Sequence, residues 1–280
     1  MKKTYLLLAA FAFMLAAPVI SSCSGKDSTL KVISYNIRMG VANDGDNSWD
    51  LRKEASVAMI EEQQPDIFGL QEAFDFQVKY LVENCPQYAA IGVGRDDGVE
   101  DGEHMEIYYN KEKFNLKEWG TYWLSPTPDV VSFGWDAACR RTATWCLLES
   151  KDGKRHLYYV NTHLDHVGVD ARRNGLALIV ERIGKMNKEG WPMVLTGDFN
   201  VKDDDPCLLA LDGKMLSARA TAKKTDDKGS YNAWGKASDA IDYIYYSDFS
   251  KALSFETLDR QYAGKPFISD HYPVVAVLKY

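Results

Sequence analysis

The stretch Leu195-Thr196-Gly197-Asp198-Phe199-Asn200 joins an apolar run to a polar cluster. Met193-Val194-Leu195 leads into a glycine, and an acid and an amide then sit two residues apart. At a strand end, alternation sends Asp198 and Asn200 to one side of the sheet. A carboxylate and a carboxamide aimed at one point suit a polarised water or a phosphoryl oxygen. Gly-Asp-Phe-Asn also suits an ordinary turn, so its meaning depends on its neighbours in the fold. Five further strand-like runs end in the same way: Val32-Ile33-Ser34-Tyr35-Asn36, Ile67-Phe68-Gly69-Leu70-Gln71-Glu72, Tyr158-Tyr159-Val160-Asn161-Thr162-His163, Ala240-Ile241-Asp242-Tyr243 and Ile268-Ser269-Asp270-His271.

The 280 residues fit one large domain or two small ones, with the apolar and charged fractions of a soluble globular protein. The N-terminus departs from that pattern. Lys2 and Lys3 precede an apolar run from Leu6 to Ile20, followed by Ser21-Ser22-Cys23. This reads as a bacterial secretory signal over residues 1–22, with Cys23 as the lipidated first mature residue. The rival is an anchor helix, but the run is short for a span and contains Pro18. Export to the cell envelope follows as an expectation, in the periplasm or at the outer membrane or cell surface, with the membrane met through the Cys23 lipid. The formal net charge is −7. Removing the signal takes away two lysines and no acid, giving −9 from 31 bases and 40 acids. An acidic protein starts at a disadvantage on long nucleic acids, whose grip comes from neutralised phosphates. Cys85, Cys139, Cys146 and Cys207 show no zinc spacing, and buried free thiols are the expectation.

Strands are expected at Leu30 to Tyr35, Ile67 to Leu70, Tyr88 to Val93, Ile107 to Tyr109, Trp119 to Trp123, Thr142 to Leu148, Leu157 to Asn161, Met193 to Leu195, Ala240 to Tyr245, Ala252 to Thr257 and Tyr272 to Leu278. Leu51, Ala55, Ala58 and Met59 mark one face of a helix ending before Pro65, and Phe74 to Asn84 is a second helix. Asp170 to Met186 is the clearest helix, with Leu176, Ile179, Val180 and Ile183 on one face. Asn43 to Asp50, Arg95 to Glu103 and Ala218 to Trp234 read as loops. Helices separate some strands and hairpin-length gaps separate others, which implies an α/β domain over residues 30–280 with helices outside its sheets.

The strand ends together supply Asn36, Glu72, His163, Asp198, Asn200, Asp242, Asp270 and His271. With these motifs in this order, the chain resembles the endonuclease/exonuclease/phosphatase superfamily from about Leu30 to Tyr280. The resemblance implies a four-layer α/β sandwich, two central mixed β-sheets flanked by helices, with the site at one edge. It implies a Mg²⁺-dependent phosphoric ester hydrolase, with Mn²⁺ as the alternative cation. Glu72, Asn36 and Asp270 would hold the cation, whose preference is for hard oxygens. Asp198 and Asn200 would position an attacking water. His271 would face the phosphate, held by Asp242, and His163 would be a second phosphate-facing imidazole, oriented by Glu103.

Arg141, Arg95, Arg172 and His166 are candidate substrate contacts, each with a structural reading beside it, as is Asp165. Trp135, Tyr231 and Trp234 are candidates for a substrate wall. Loops choose the substrate. Export and acidity favour a small or lipid-derived phosphoester, and a monomer is the expected state. A secreted nuclease acting on DNA or RNA is the alternative, and a non-catalytic surface-binding lipoprotein a third.

Overall fold

The computed structural model describes residues 29–280, so the expected signal segment and Cys23 lie outside it. Strand β1 (Thr29–Asn36) leads through helix α1 (Trp49–Gln63) to β2 (Ile67–Gln71), parallel to β1. Helix α2 (Asp75–Asn84), β3 (Tyr88–Ile91) and β4 (Ile107–Asn110) follow, then β5 (Phe114–Trp123), β6 (Thr142–Ser150) and β7 (His156–His163). Helix α3 (Val169–Met186) carries the chain to β8 (Met193–Asp198), parallel to β7. The rest is β9 (Leu216–Ser217), α4 (Ala218–Thr221), β10 (Asp242–Ser247), β11 (Lys251–Thr257) and β12 (Val274–Lys279). The strands form two six-stranded mixed sheets, in the orders β11-β12-β1-β2-β4-β3 and β5-β6-β7-β8-β10-β9.

Alternation sorts the strand residues into layers. Leu30, Val32, Tyr159, Val194 and Ile244 pack between the sheets. Ile33, Tyr35, Phe68 and Leu70 face α1 and α2, while Val160, Leu195 and Tyr243 face α3. The result is the expected four-layer sandwich. Among the described residues no helix is long and apolar enough to cross a membrane. The four cysteines among the described residues are free; Cys85, Cys146 and Cys207 are buried and Cys139 is half-buried.

Several local expectations shift. The buried face of α1 runs through Trp49, Arg52, Ala55, Met59 and Ile60, and Leu51 is exposed. Arg52 turns inward because backbone oxygens need its donors: it donates to the carbonyls of Ile37, Arg38 (2.9 Å), Asn47 (3.0 Å) and Ile268 (3.0 Å). Strand β5 starts at Phe114, not Trp119, because a register shift between Leu116 and Glu118 breaks the alternation that marks a strand in sequence. The expected loop from Ala218 begins as the one-turn helix α4, capped by Ser217 Oγ accepting the Ala220 N–H.

Above the apolar layer between the sheets lies a polar one. Asn161 of β7 donates through Nδ2 to the carbonyls of Leu70 (2.7 Å) and Glu106 (3.1 Å) in the other sheet. Its Oδ1 accepts from Gln71 Nε2 (2.7 Å) and Thr196 Oγ1 (3.1 Å). Gly69 makes room for this bridge, since a Cβ there would overlap the Asn161 amide and come within 2.8 Å of Thr196 Oγ1. Gly69→Ala is therefore expected to destabilise by about 2 kcal/mol or more, from overpacking and lost buried hydrogen bonds. In an Asn161→Ala background the same change should cost much less, because the two effects share one contact. Urea unfolding of the four proteins measures this; simple additivity would show that the bridge does not restrict Gly69.

Candidate active site

Both parallel strand pairs end at the same edge of the sandwich. On its inner face each strand passes from apolar to polar: Val32, Ser34 and Asn36 in β1, and Val194, Thr196 and Asp198 in β8. β2 ends at Gln71 and hands over to Glu72, and β7 ends at His163. The antiparallel neighbours contribute from their starts. Asp242 opens β10 directly opposite Asp198, and Asp270 and His271 precede β12 beside β1. All seven of Asn36, Glu72, His163, Asp198, Asp242, Asp270 and His271 are buried.

Asp198 is the centre. Asn36 Nδ2 donates to Asp198 Oδ2 (3.0 Å) and to Glu72 Oε1 (3.0 Å). The same Asp198 oxygen lies 3.5 Å from His163 Nε2 and 3.7 Å from His271 Nε2. Asp198 Oδ1 accepts the Asn200 N–H (2.9 Å), and Asn200 Nδ2 donates to His163 Nε2 (2.9 Å) and the Leu164 carbonyl (3.0 Å). That donation leaves His163 with its proton on Nδ1 when neutral, a tautomer assigned from the hydrogen-bond network. His271 Nδ1 pairs with Asp242 Oδ2 at 2.7 Å. Ser269 Oγ donates to the Asn36 carbonyl (2.7 Å), tying the two segments together. Arg38, Glu72 and Asn200 have φ of 61°, 62° and 54°, the left-handed region that ordinary side chains avoid. The surrounding hydrogen bonds hold these strained residues in place.

The same burial drives the titrating groups apart. Burial opposes charge on His271, but the Asp242 and Asp198 carboxylates outweigh it and raise its pKa to about 10. Burial, then the Asp242 charge, raises Asp198 to about 7 against the pull of His271. Burial and the cations Arg141 and Arg95 push His163 well below its usual value. Two imidazoles within 4 Å of one carboxylate oxygen thus hold opposite charge states at neutral pH.

The donors suit a hard divalent cation. Glu72 Oε2 and Asp270 Oδ2 lie 3.9 and 3.7 Å from one nitrogen of Arg38, so two buried carboxylates share a positive neighbour. Glu72, His163 and Asp198 present ligand atoms within 4.8 Å of one another, as do Asp198, Asp242 and His271.

The candidate residues at the rim are arranged differently from the centre. Glu103 Oε2 lies 3.8 Å from His163 Nδ1, beyond hydrogen-bond reach, and instead accepts from Arg95 Nη1 (2.6 Å). Arg95 is thus the partner of Glu103. Arg141 is buried, donates to Asp165 Oδ2 (3.2 Å) and to His166 Nδ1 (2.9 Å), and keeps one nitrogen, Nη1, without a partner. Asp165 also accepts the N–H groups of Ala138, Val167 and Gly168, so it organises these loops. Arg172 donates to the Asp165 carbonyl (2.9 Å) from the first turn of α3 and braces the same loop. Tyr231 packs on the His271 ring at 5.0 Å, and Trp234 lies edge-on to Phe267. Trp135 is exposed in the β5–β6 loop, on the side of α3. Arg38, Arg52 and Asp165's bracing role were not assigned from sequence. Only Arg38 had a signal: it lies two residues beyond Asn36, on the same side of an extended chain.

Residues 33–271 match the model of the endonuclease/exonuclease/phosphatase family. The Bacteroides thetaiotaomicron mannosyl-6-phosphatase Bt3783 is 33% identical with a TM-score of 0.85, over 90% of this chain and 100% of that one. An endonuclease/exonuclease/phosphatase from Bacteroides vulgatus is likewise 33% identical, with a TM-score of 0.84, over 90% of this chain and 99% of that one. Nocturnin of Drosophila melanogaster is 24% identical over 276 residues, which span 81% of this chain and 42% of that protein. The match covers the strand ends that carry Asn36, Glu72, His163, Asp198, Asp242 and His271, and the chain belongs to the endonuclease/exonuclease/phosphatase family of phosphoester hydrolases.

Proposed function

We propose that the protein is a Mg²⁺-dependent phosphatase of small polar phosphomonoesters of the sugar-phosphate class, exported and held at the cell envelope by a lipid on Cys23. The observation that carries the reaction is the Asp198 centre: a buried carboxylate between Asn36, His163 and His271, with Glu72 beside it. A pKa raised to about 7 gives Asp198 the basicity to take a proton from water near neutrality. Asn200, hydrogen-bonded to both Asp198 and His163, fixes the direction of that water. His271, protonated against Asp242, offers Nε2–H to a phosphoryl or leaving oxygen. The bound cation supplies charge neutralisation at the phosphoryl group. The similarity to a mannosyl-6-phosphatase over 90% of this chain supports the substrate class. The net charge of −7 argues against a long polyanion. Assay of a panel of sugar phosphates, diesters and oligonucleotides, with Mg²⁺ and with chelator, tests the reading. Turnover confined to oligonucleotides, falling steeply with salt, would establish the nuclease reading instead.

Glu72→Gln keeps the shape and removes the charge. Turnover should fall by about a hundredfold or more, recover partly at high Mg²⁺, and leave the unfolding temperature nearly unchanged. Full activity in this variant, or of the wild type in chelator, would remove the cation from the reaction.

Asp242→Asn tests the imidazole pair. With its pKa raised to about 10, His271 stays protonated across neutral pH, and activity that needs this form is lost as pH rises through that value. The pair's contribution to stability is fully present below the ordinary histidine value of about 6.5 and is lost on the way up to the folded value. Removing the Asp242 charge lowers the folded pKa, so the alkaline limb of the kcat/KM profile should move toward acid. His271→Ala should abolish most turnover, and Asp242→Asn added to it should cost little more. Losses that multiply would show that Asp242 acts independently of His271.

A further inference from the structure

The geometry points to Arg38 as the residue that couples cation binding to phosphate binding: in the cation-free protein its free nitrogen, Nη1, faces Glu72 and Asp270, and it is offered to the phosphate when a divalent cation takes over those carboxylates. This assignment rests on the phosphohydrolase reading above. Arg38 Nε and Nη2 donate to the two oxygens of Asp44, at 3.0 and 3.1 Å, in a planar fork. The remaining nitrogen, Nη1, faces Glu72 Oε2 at 3.9 Å and Asp270 Oδ2 at 3.7 Å. Both distances exceed a hydrogen bond, so the attraction is charge alone and Nη1 keeps its N–H donors for another acceptor.

The backbone is built to present this side chain. At φ 61° Arg38 is strained, and three contacts hold it there. Its N–H donates to Asn36 Oδ1 (3.0 Å), and its carbonyl accepts from Arg52 (2.9 Å) and Gln77 (3.1 Å). The Arg38 side chain is 27% exposed, against 12% and 10% for the Glu72 and Asp270 side chains, so a solute reaches it first. Charge balance gives its role. Three carboxylates, Glu72, Asp270 and the Asp44 that holds the fork, leave a divalent cation with a net charge of −1 around it, which repels an anionic ester. The guanidinium removes that charge. It does so at the expense of the cation, which it repels.

Removing the Arg38 charge should therefore move two affinities in opposite directions, which a merely structural role would not do. Calorimetric titration of the metal-stripped protein with Mg²⁺, and of the Mg²⁺-saturated protein with inorganic phosphate, reads both. Arg38→Met should bind Mg²⁺ about three- to tenfold tighter and phosphate about tenfold weaker, the scale of one partly screened unit charge. Arg38→Lys restores the charge without the fork: its Mg²⁺ affinity should stay near wild type and its phosphate affinity fall about threefold. It also serves if Arg38→Met fails to fold. Weakening of both affinities in Arg38→Met, or no change in either, overturns the assignment. So does an Arg38→Lys protein that matches wild type for phosphate. A wild type that takes up no divalent cation would overturn the phosphohydrolase reading and this assignment together.

Discussion

The Asn161 amide spans the gap between the two sheets, and the site depends on that span. Its hydrogen bonds to Leu70, Glu106 and Gln71 fix β7 against β2 and β4 across the core. Nothing apolar sets such a register, because packing alone tolerates sliding. The next inward-facing residue of β7 is His163, and the residue after Gln71 is Glu72. A rigid bridge one step below the catalytic layer therefore sets how far Glu72 lies from His163. Buried hydrogen bonds are suited to this task, since a shift that breaks one leaves a polar group unpaired.

The inner faces form a graded series. Leu30, Val32, Val194 and Ile244 exclude water at one end, the Asn161 layer follows, and Asp198 with its two imidazoles lies at the open edge. The gradient explains the electrostatics. Asp198 and His271 are far enough in for desolvation to act on both. The charges around each then decide the outcome. Asp242 keeps His271 protonated, while burial, reinforced by Arg141 and Arg95, keeps His163 neutral. Two buried histidines of equal intrinsic basicity take different roles because carboxylates, Asp242 of β10 first, overcome burial at His271, while burial goes unopposed at His163 and the rim cations add to it.

The strand-end residues were legible in the sequence because two local properties suffice for them: side-chain alternation and the end of an apolar run. Asn36, His163 and Asp198 obey both, Asp242 opens its strand instead of ending it, and the matching order of motifs marked the family and the sandwich. The rim was not legible. Arg95 reaches Glu103 and Arg141 reaches Asp165 through loop conformations that no periodicity encodes. Arg52 misled for a different reason. A helix face is read from hydrophobicity, and a guanidinium inside contradicts that signal. The carbonyls of Ile37, Arg38, Asn47 and Ile268 that it serves come from segments as distant as 216 residues along the chain.

Arg52 also shows why the site tolerates strain. Left-handed conformations at Arg38, Glu72 and Asn200 each cost on the order of 1 kcal/mol or more. Each is held by a group outside its own element: Arg52 holds the Arg38 carbonyl, the Met39 N–H holds Glu72 Oε2, and Asp198 holds the Asn200 N–H. Two βαβ units place their strand ends at one edge, and alternation already turns Asn36 and Asp198 into the gap between the sheets. Three left-handed residues turn the chain out of the strand direction just where β1, β2 and β8 end. The carboxylates and amides then converge on the cleft between the sheets, where an ester can reach them.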